Sequence, residues 1–251
     1  MNTPPAPRHH LPSPASIAVL ASGGGSNLQV LLDHFGGAGA HAGRIVWVGS
    51  DKAAAGALTR AATAGVPTAV LADPGDGEAL VATLQAAGAD LLVLAGYLKL
   101  IPEAVVRAFH GRLMNIHPAL LPAFGGAGLY GQRIHAAVLQ HGVTVTGVTV
   151  HFVDAHYDRG PIIAQWPVPV LPGDTPASLG ARVLRTEHAL LPRCVEAVAS
   201  GAVVLGDDGN VHRHLAVPVR PITAEWGFGL VSDTAGAAAA FASEWTQLVP
   251  R

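Results

Sequence analysis

Asn115 and His117 stand two residues apart in "LMNIHPALLP" (113–122), with Pro118 directly after them. A side-chain amide can donate to an oxygen that gains negative charge during acyl transfer, and an imidazole beside it exchanges protons near neutral pH. Side chains alternate between faces in an extended segment, so both groups project from the same face. Pro118 cannot donate to a strand ladder and keeps its predecessor extended, so the strand is expected to end at about His117. That places the pair at a strand's carboxyl end, where open α/β sheets hold their ligands.

Two further stretches carry polar groups at suggestive spacing. In "HFVDAHYDRGP" (151–161), Asp154, His156 and Asp158 recur at period two, with His151 nearby. Histidines and carboxylates ligate metals, and a carboxylate can also orient and charge an imidazole such as His117. The structural alternative is a polar turn in which Asp158, Arg159 and Gly160 only reverse the chain; spacing alone does not bring Asp158 to His117. In "ASGGGSNLQVLL" (21–32), a strand runs into Gly23, Gly24 and Gly25 before Ser26 and Asn27 open a helix. Glycines let backbone approach a ligand, and a helix start offers unpaired N–H groups to an anion. No Gly-Lys-Ser/Thr follows, and Leu28 stands where a dinucleotide fingerprint needs its third glycine, so a terminal phosphate fits best. A tight turn capped by Ser and Asn is the plain alternative.

The elements that must position these groups follow an alternation of short apolar runs and longer Ala/Leu-rich segments, which predicts βαβ units. Strands are expected at 16–22, 44–50, 67–72, 90–96 and 112–117, with helices near 26–35, 53–65, 76–88 and 102–110. Strands this uniformly apolar suit a parallel sheet covered on both faces. Beyond 118 the Gly-rich "LPAFGGAGLYG" (121–131) predicts an irregular loop, then a helix near 131–141 stopped by Gly142. The alternating 143–153 and proline-bearing 161–170 segments predict further strands, the latter at a sheet edge. A long helix over 174–201 starts at Asp174 or Thr175, carries Pro176 in its first turn and is expected to bend at Pro192. Asp-Asp-Gly-Asn within 202–215 predicts a hairpin. The fold class expected is a Rossmann-like three-layer α/β/α domain, its mixed, mostly parallel sheet having about seven strands. Three parts are expected: a flexible lead-in (1–15), the main domain (16–205) and a C-terminal extension of hairpin and tail (206–251).

Composition narrows the function. Half of the 251 residues are apolar, enough for one sizeable core, and the net charge of −2 supplies no basic footprint for nucleic acid. Cys194 is the single cysteine, which forbids an internal disulfide and suggests a small buried hydrophobe. The most apolar run, 89–101, is interrupted by Gly96 and Lys99 and is too short to span a membrane. The Pro-rich start, with His9 and His10, has no apolar core of a secretory signal. A cytoplasmic protein without membrane partners is expected.

Together and in this order, "SGGGSN", "NIHPALLP" and "HFVDAHYDRGPII" resemble the phosphoribosylglycinamide formyltransferase (glycinamide ribonucleotide transformylase) branch of the folate-dependent formyltransferases, over about residues 16–205. The resemblance implies 10-formyltetrahydrofolate as co-substrate, glycinamide ribonucleotide as acceptor and no metal. It implies Asn115, His117 and Asp158 as the catalytic trio. Gly25, Ser26 and Asn27 would contact substrate phosphate and ribose, with Glu187 near the ribose. Folate would lie against Leu98, Lys99, Leu100 and Ile101 and against Asp154, Ala155, His156 and Tyr157. The loop after "LLP" departs from the family pattern, which usually carries Pro-Gly and a His, so no role is transferred to 123–135; His151 likewise receives none.

The expected chemistry is attack of the acceptor amine on the formyl carbon, with Asn115 and a His117 charged by Asp158 stabilising the oxyanion. Rivals include a sugar-nucleotide formyltransferase, a formyltetrahydrofolate hydrolase and a tRNA-directed formyltransferase. From other classes come a non-catalytic phosphate-binding module and a metal-dependent hydrolase built on His151, Asp154, His156 and Asp158. Monomer and homodimer are equally compatible with the sequence.

Overall fold

The strand β1 (Ala15–Leu20) is buried along its whole length, because parallel neighbours flank it and helices cover both its faces. The computed structural model describes residues 11–214. The lead-in up to residue 10, with His9 and His10, and the tail beyond 214 lie outside the described residues.

On one side β1 pairs in parallel with β2 (Gly43–Ser50), which pairs with the short β3 (Thr68–Val70). On the other side come β4 (Leu91–Leu94) and β5 (Leu113–His117), both parallel. Two antiparallel strands, β6 (Val145–Phe152) and β7 (Ile162–Pro169), complete a seven-stranded sheet of order β3-β2-β1-β4-β5-β6-β7. The expected mixed, mostly parallel architecture is therefore present, and the proline-bearing β7 sits at an edge as its composition requires.

Residue alternation sorts the core into two layers. Ile17 and Val19 point to one face, where they meet α1 (Ser26–Gly36), α2 (Gly56–Thr63), α5 (Gln132–Gln140) and α6 (Pro176–Ala199). Ala18 and Leu20 point to the other, against α3 (Gly77–Ala86) and α4 (Glu103–Ala108). The connections thus change faces, and the order of strands reverses, between β1 and β4: the switch point where such sheets open a crevice.

The helix α6 begins with a reciprocal cap, Thr175 accepting from the Ser178 N–H and Ser178 accepting from the Thr175 N–H. The bend expected at Pro192 does not divide it; α6 runs as one helix through that buried proline. The last pair, β8 (Val203–Leu205) and β9 (Val211–Arg213), is the expected hairpin and straddles the boundary expected at 205–206. Among the described residues no helix is long and apolar enough to cross a membrane.

Candidate active site

The crevice at the switch point is a cavity of about 720 Å³, and its walls bring together segments far apart in sequence. Asn115 and His117, on one face of β5 as their spacing predicts, lie on its floor. His117 is nearly buried, at 4% exposure, and its Nδ1 stands 3.5 Å from Oδ1 of Asp158. The fold therefore makes the juxtaposition that spacing could not: the β6–β7 connection folds back over the end of β5.

Backbone geometry shapes that connection. A Cβ at Gly160 would lie 1.9 Å from the Phe152 carbonyl oxygen, so only glycine lets the loop close. Asp158 has a φ of 55°, unusual for a non-glycine residue. Its Oδ2 accepts the Gly126 N–H at 2.9 Å, while the Phe124 carbonyl accepts from Nε2 of His117 at 2.9 Å. The Gly-rich 121–131 loop thus holds both groups through its main chain. Both nitrogens of His117 thus lie near oxygens, the Phe124 carbonyl oxygen and Asp158 Oδ1.

His151, to which the resemblance assigned no role, is the direct cross-strand partner of Asn115. Its Nδ1–H donates to the Phe152 carbonyl at 2.7 Å, which leaves Nε2 to accept from the Asn115 amide at 3.1 Å. Burial, the largest influence, lowers its pKa, so the neutral ring fits this role. The second amide hydrogen of Asn115 faces Asp158 at 3.5 Å. His151 and Asp158 thus serve Asn115 and His117, while Asp154 and His156 face each other separately at 3.8 Å. The four do not form the single ligand set of the hydrolase rival.

At another wall Asn27, in the first turn of α1, donates its amide to Glu187 of α6. Burial pushes the Glu187 carboxyl pKa up, opposed by that hydrogen bond. The Asn27 side-chain oxygen is buried without a hydrogen-bond partner. Gly25 precedes α1 with a φ of 75° and packs so tightly on α2 that a Cβ would come within 2.6 Å of the Ala57 Cα. Gly25 and Ser26 form the turn into α1 and do not line the cavity wall; Asn27 and Glu187 do.

A third wall is apolar. Leu98, Lys99, Leu100 and Ile101 line the cavity, and Ser22 Oγ accepts the Leu98 N–H at 3.0 Å, pinning this segment to the end of β1. Leu98 and Leu100 are 41% and 46% exposed, and Tyr157, which lines the same cavity, is 38% exposed, a large apolar surface for a cavity mouth. His156 and Tyr157 also line the cavity, whereas Asp154 and Ala155 do not. His135 of α5 was not foreseen: it lines the cavity with Nδ1 buried and unpartnered, and burial followed by His117 lowers its pKa.

The chain resembles known proteins over most of its length. Residues 15–195 match the family described as formyl transferase. The chain is 43% identical over 207 residues to the chloroplastic phosphoribosylglycinamide formyltransferase of Arabidopsis thaliana, covering 80% of this chain and 70% of that one. It is 43% identical over 212 residues to the phosphoribosylglycinamide formyltransferase of Mycobacterium tuberculosis (strain CDC 1551 / Oshkosh), covering 82% and 95%. Among solved structures, glycinamide ribonucleotide transformylase 1 from Symbiobacterium toebii superposes with a TM-score of 0.73 at 42% identity, covering 82% of this chain and 95% of that one. With its sheet, its crevice and these relatives in agreement, the chain belongs to the formyl transferase family, in the phosphoribosylglycinamide formyltransferase group.

Proposed function

We propose that this chain transfers the formyl group of 10-formyltetrahydrofolate to the amine of glycinamide ribonucleotide, giving formylglycinamide ribonucleotide and tetrahydrofolate. The observation that carries the reading is the meeting of Asn115, His117 and Asp158 in one cavity, between a polar wall at Asn27 and Glu187 and an apolar wall at 98–101. The nucleotide occupies the polar side: its phosphate lies at the Gly25–Ser26–Asn27 turn, and Asn27 and Glu187 bind ribose hydroxyls. The folate ring occupies the apolar side, between 98–101 and the loop of Asp154, Ala155, His156 and Tyr157.

The amine lone pair attacks the formyl carbon, and the carbonyl π electrons move onto oxygen. The Asn115 hydrogen that spans 3.5 Å to Asp158 turns to that oxygen, and His117 donates to it from the other side. Fixed donors at a developing oxyanion are typically worth ~3 kcal/mol each. Asp158, directly or through a water, takes the proton from the attacking nitrogen and returns it to N10 of the folate. The C–N10 bond then breaks and tetrahydrofolate leaves. The residues act within a cytoplasmic purine-synthesis step and need no metal for it.

The test is a spectrophotometric assay of folate product with and without glycinamide ribonucleotide, wild type beside His117→Ala. The expected result is turnover that needs both substrates and falls by at least a hundredfold in the variant. Product release without the acceptor would indicate a hydrolase instead. Near-normal turnover by folded His117→Ala would remove the role proposed for the imidazole.

A further inference from the structure

The helices α1 and α6 lie side by side and run in the same sense, because they touch at two matching points. Near the cavity Asn27 meets Glu187; about two to two and a half turns further along each helix, His34 meets Glu196. At the rise of an α-helix the second meeting point lies roughly 10–13 Å from the first, at the opposite end of the pair from the chemistry. His41, from the connection between α1 and β2, joins it there.

We infer that His34, His41 and Glu196 form a structural binding site for a transition-metal dication of the zinc class. Nε2 of His34 stands 3.2 Å, and Nδ1 of His41 3.7 Å, from the same carboxylate oxygen, Oε2 of Glu196. The three donor atoms all lie within 4.8 Å of one another. In a tetrahedral zinc site with bonds of about 2.0–2.1 Å, neighbouring donors are roughly 3.3 Å apart, so small adjustments bring these three onto one ion.

The pairing alone does not account for the arrangement. A hydrogen bond explains His34, but the His41 nitrogen stands 3.7 Å from the same oxygen, beyond hydrogen-bonding distance. The two rings meet at 53° with centroids 4.6 Å apart, tilted rather than stacked. Glu196 is held ready as well: its other oxygen, Oε1, accepts the Ala42 N–H at 2.7 Å, which leaves Oε2 for the imidazoles. Such a bond to the far side of a ligand is how metal sites fix their first coordination sphere. Phe35 packs edge-on against His34 and shields one flank. The side chains of His34, His41 and Glu196 are 30%, 24% and 30% exposed, which opens a fourth position to water.

Two imidazoles and one carboxylate favour zinc, cobalt, nickel or copper over magnesium or calcium, which prefer oxygen. Bound there, the ion would clip the 37–42 connection and the end of α1 to α6, and would leave formyl transfer to the distant cavity.

Cobalt(II) serves as the probe, added to tag-free, chelator-treated full-length protein. The expected result is the visible absorption of tetrahedral cobalt, saturating at a single equivalent, displaced by zinc and accompanied by a higher melting temperature. His41→Ala and Glu196→Gln each abolish the saturable absorption and the thermal shift while retaining wild-type formyl-transfer rate. His34→Gln, at a partly exposed position, provides a third variant should Glu196→Gln disturb folding. Absence of saturable uptake by the wild type, or an unchanged cobalt spectrum in the folded variants, overturns the site.

Discussion

An imidazole that donates through Nδ1 to the Phe152 carbonyl has only its Nε2 lone pair to offer Asn115, and that acceptor settles which amide hydrogen remains for substrate. His151 is therefore a positioning residue in the proposed reaction, acting through Asn115. Replacing it by Phe keeps a planar ring but removes the acceptor, and a net hydrogen bond of about 1 kcal/mol corresponds to a loss of several-fold to tenfold in rate. The expected pattern is a fall in kcat with KM for both substrates nearly unchanged, and partial recovery in His151→Gln, which still offers an acceptor oxygen. Steady-state kinetics of the two variants checks this; equal losses in both would show that the ring, not the lone pair, matters.

At the scale of elements, α6 is the member that carries most. Its start is tied down by Asp174, which accepts both guanidinium nitrogens of Arg182 at 2.7 and 2.8 Å and the Leu171 N–H at 2.8 Å. The Arg182 hydrogen bond is the largest influence holding the Asp174 carboxyl pKa well below the usual range. Asp174→Ala removes the acceptor of the Leu171 N–H and of Arg182, whose Nη1 keeps only the Pro169 carbonyl, and is expected to reduce folding stability by about 2 kcal/mol, read by urea denaturation, with little change in kcat at low temperature. The same scale separates what the sequence discloses from what it conceals. Asn115 and His117 are legible because a strand's period of two is local, and the apolar runs announce the strands in the same way. His151 is not, because its role depends on the antiparallel register that sets it opposite Asn115, a pairing 36 residues distant. The 121–131 loop conceals its role for another reason: Phe124 and Gly126 act through a carbonyl and an N–H that every residue type except proline would supply. Asp158 is legible as a candidate carboxylate partner for His117, and Glu187 only through resemblance; only the folded chain brings them to the cavity with the others.

Across the whole molecule, titration sets how stability varies with pH. His135, His151 and His188 all have pKa values lowered from 6.5, with burial the first cause. Below about pH 6.5 the unfolded chain binds protons at these sites while the folded chain does not, so stability is full above that pH and is lost as pH falls. Glu187 works in the opposite sense: its raised carboxyl pKa means stability falls as pH rises above its unfolded value. Asp174, whose pKa is lowered, contributes above its unfolded value and loses that contribution in stronger acid. Urea midpoints measured from pH 7.5 down to about 5 are expected to decline less steeply in His151→Gln than in the wild type. Parallel curves would mean that His151 titrates alike in both states.

The Gly-rich loop has a consequence for protein engineering. Its hold on His117 and Asp158 runs through main-chain atoms of Phe124 and Gly126, while the neighbouring Leu129 and Tyr130 present side chains to the cavity. In the proposed reaction, the hold on the reacting groups and the side chains that face substrate would thus belong to different atoms of one short segment. A library randomised at 129 and 130, with the glycines kept, would explore which folate tails the enzyme accepts while the reacting groups keep their alignment.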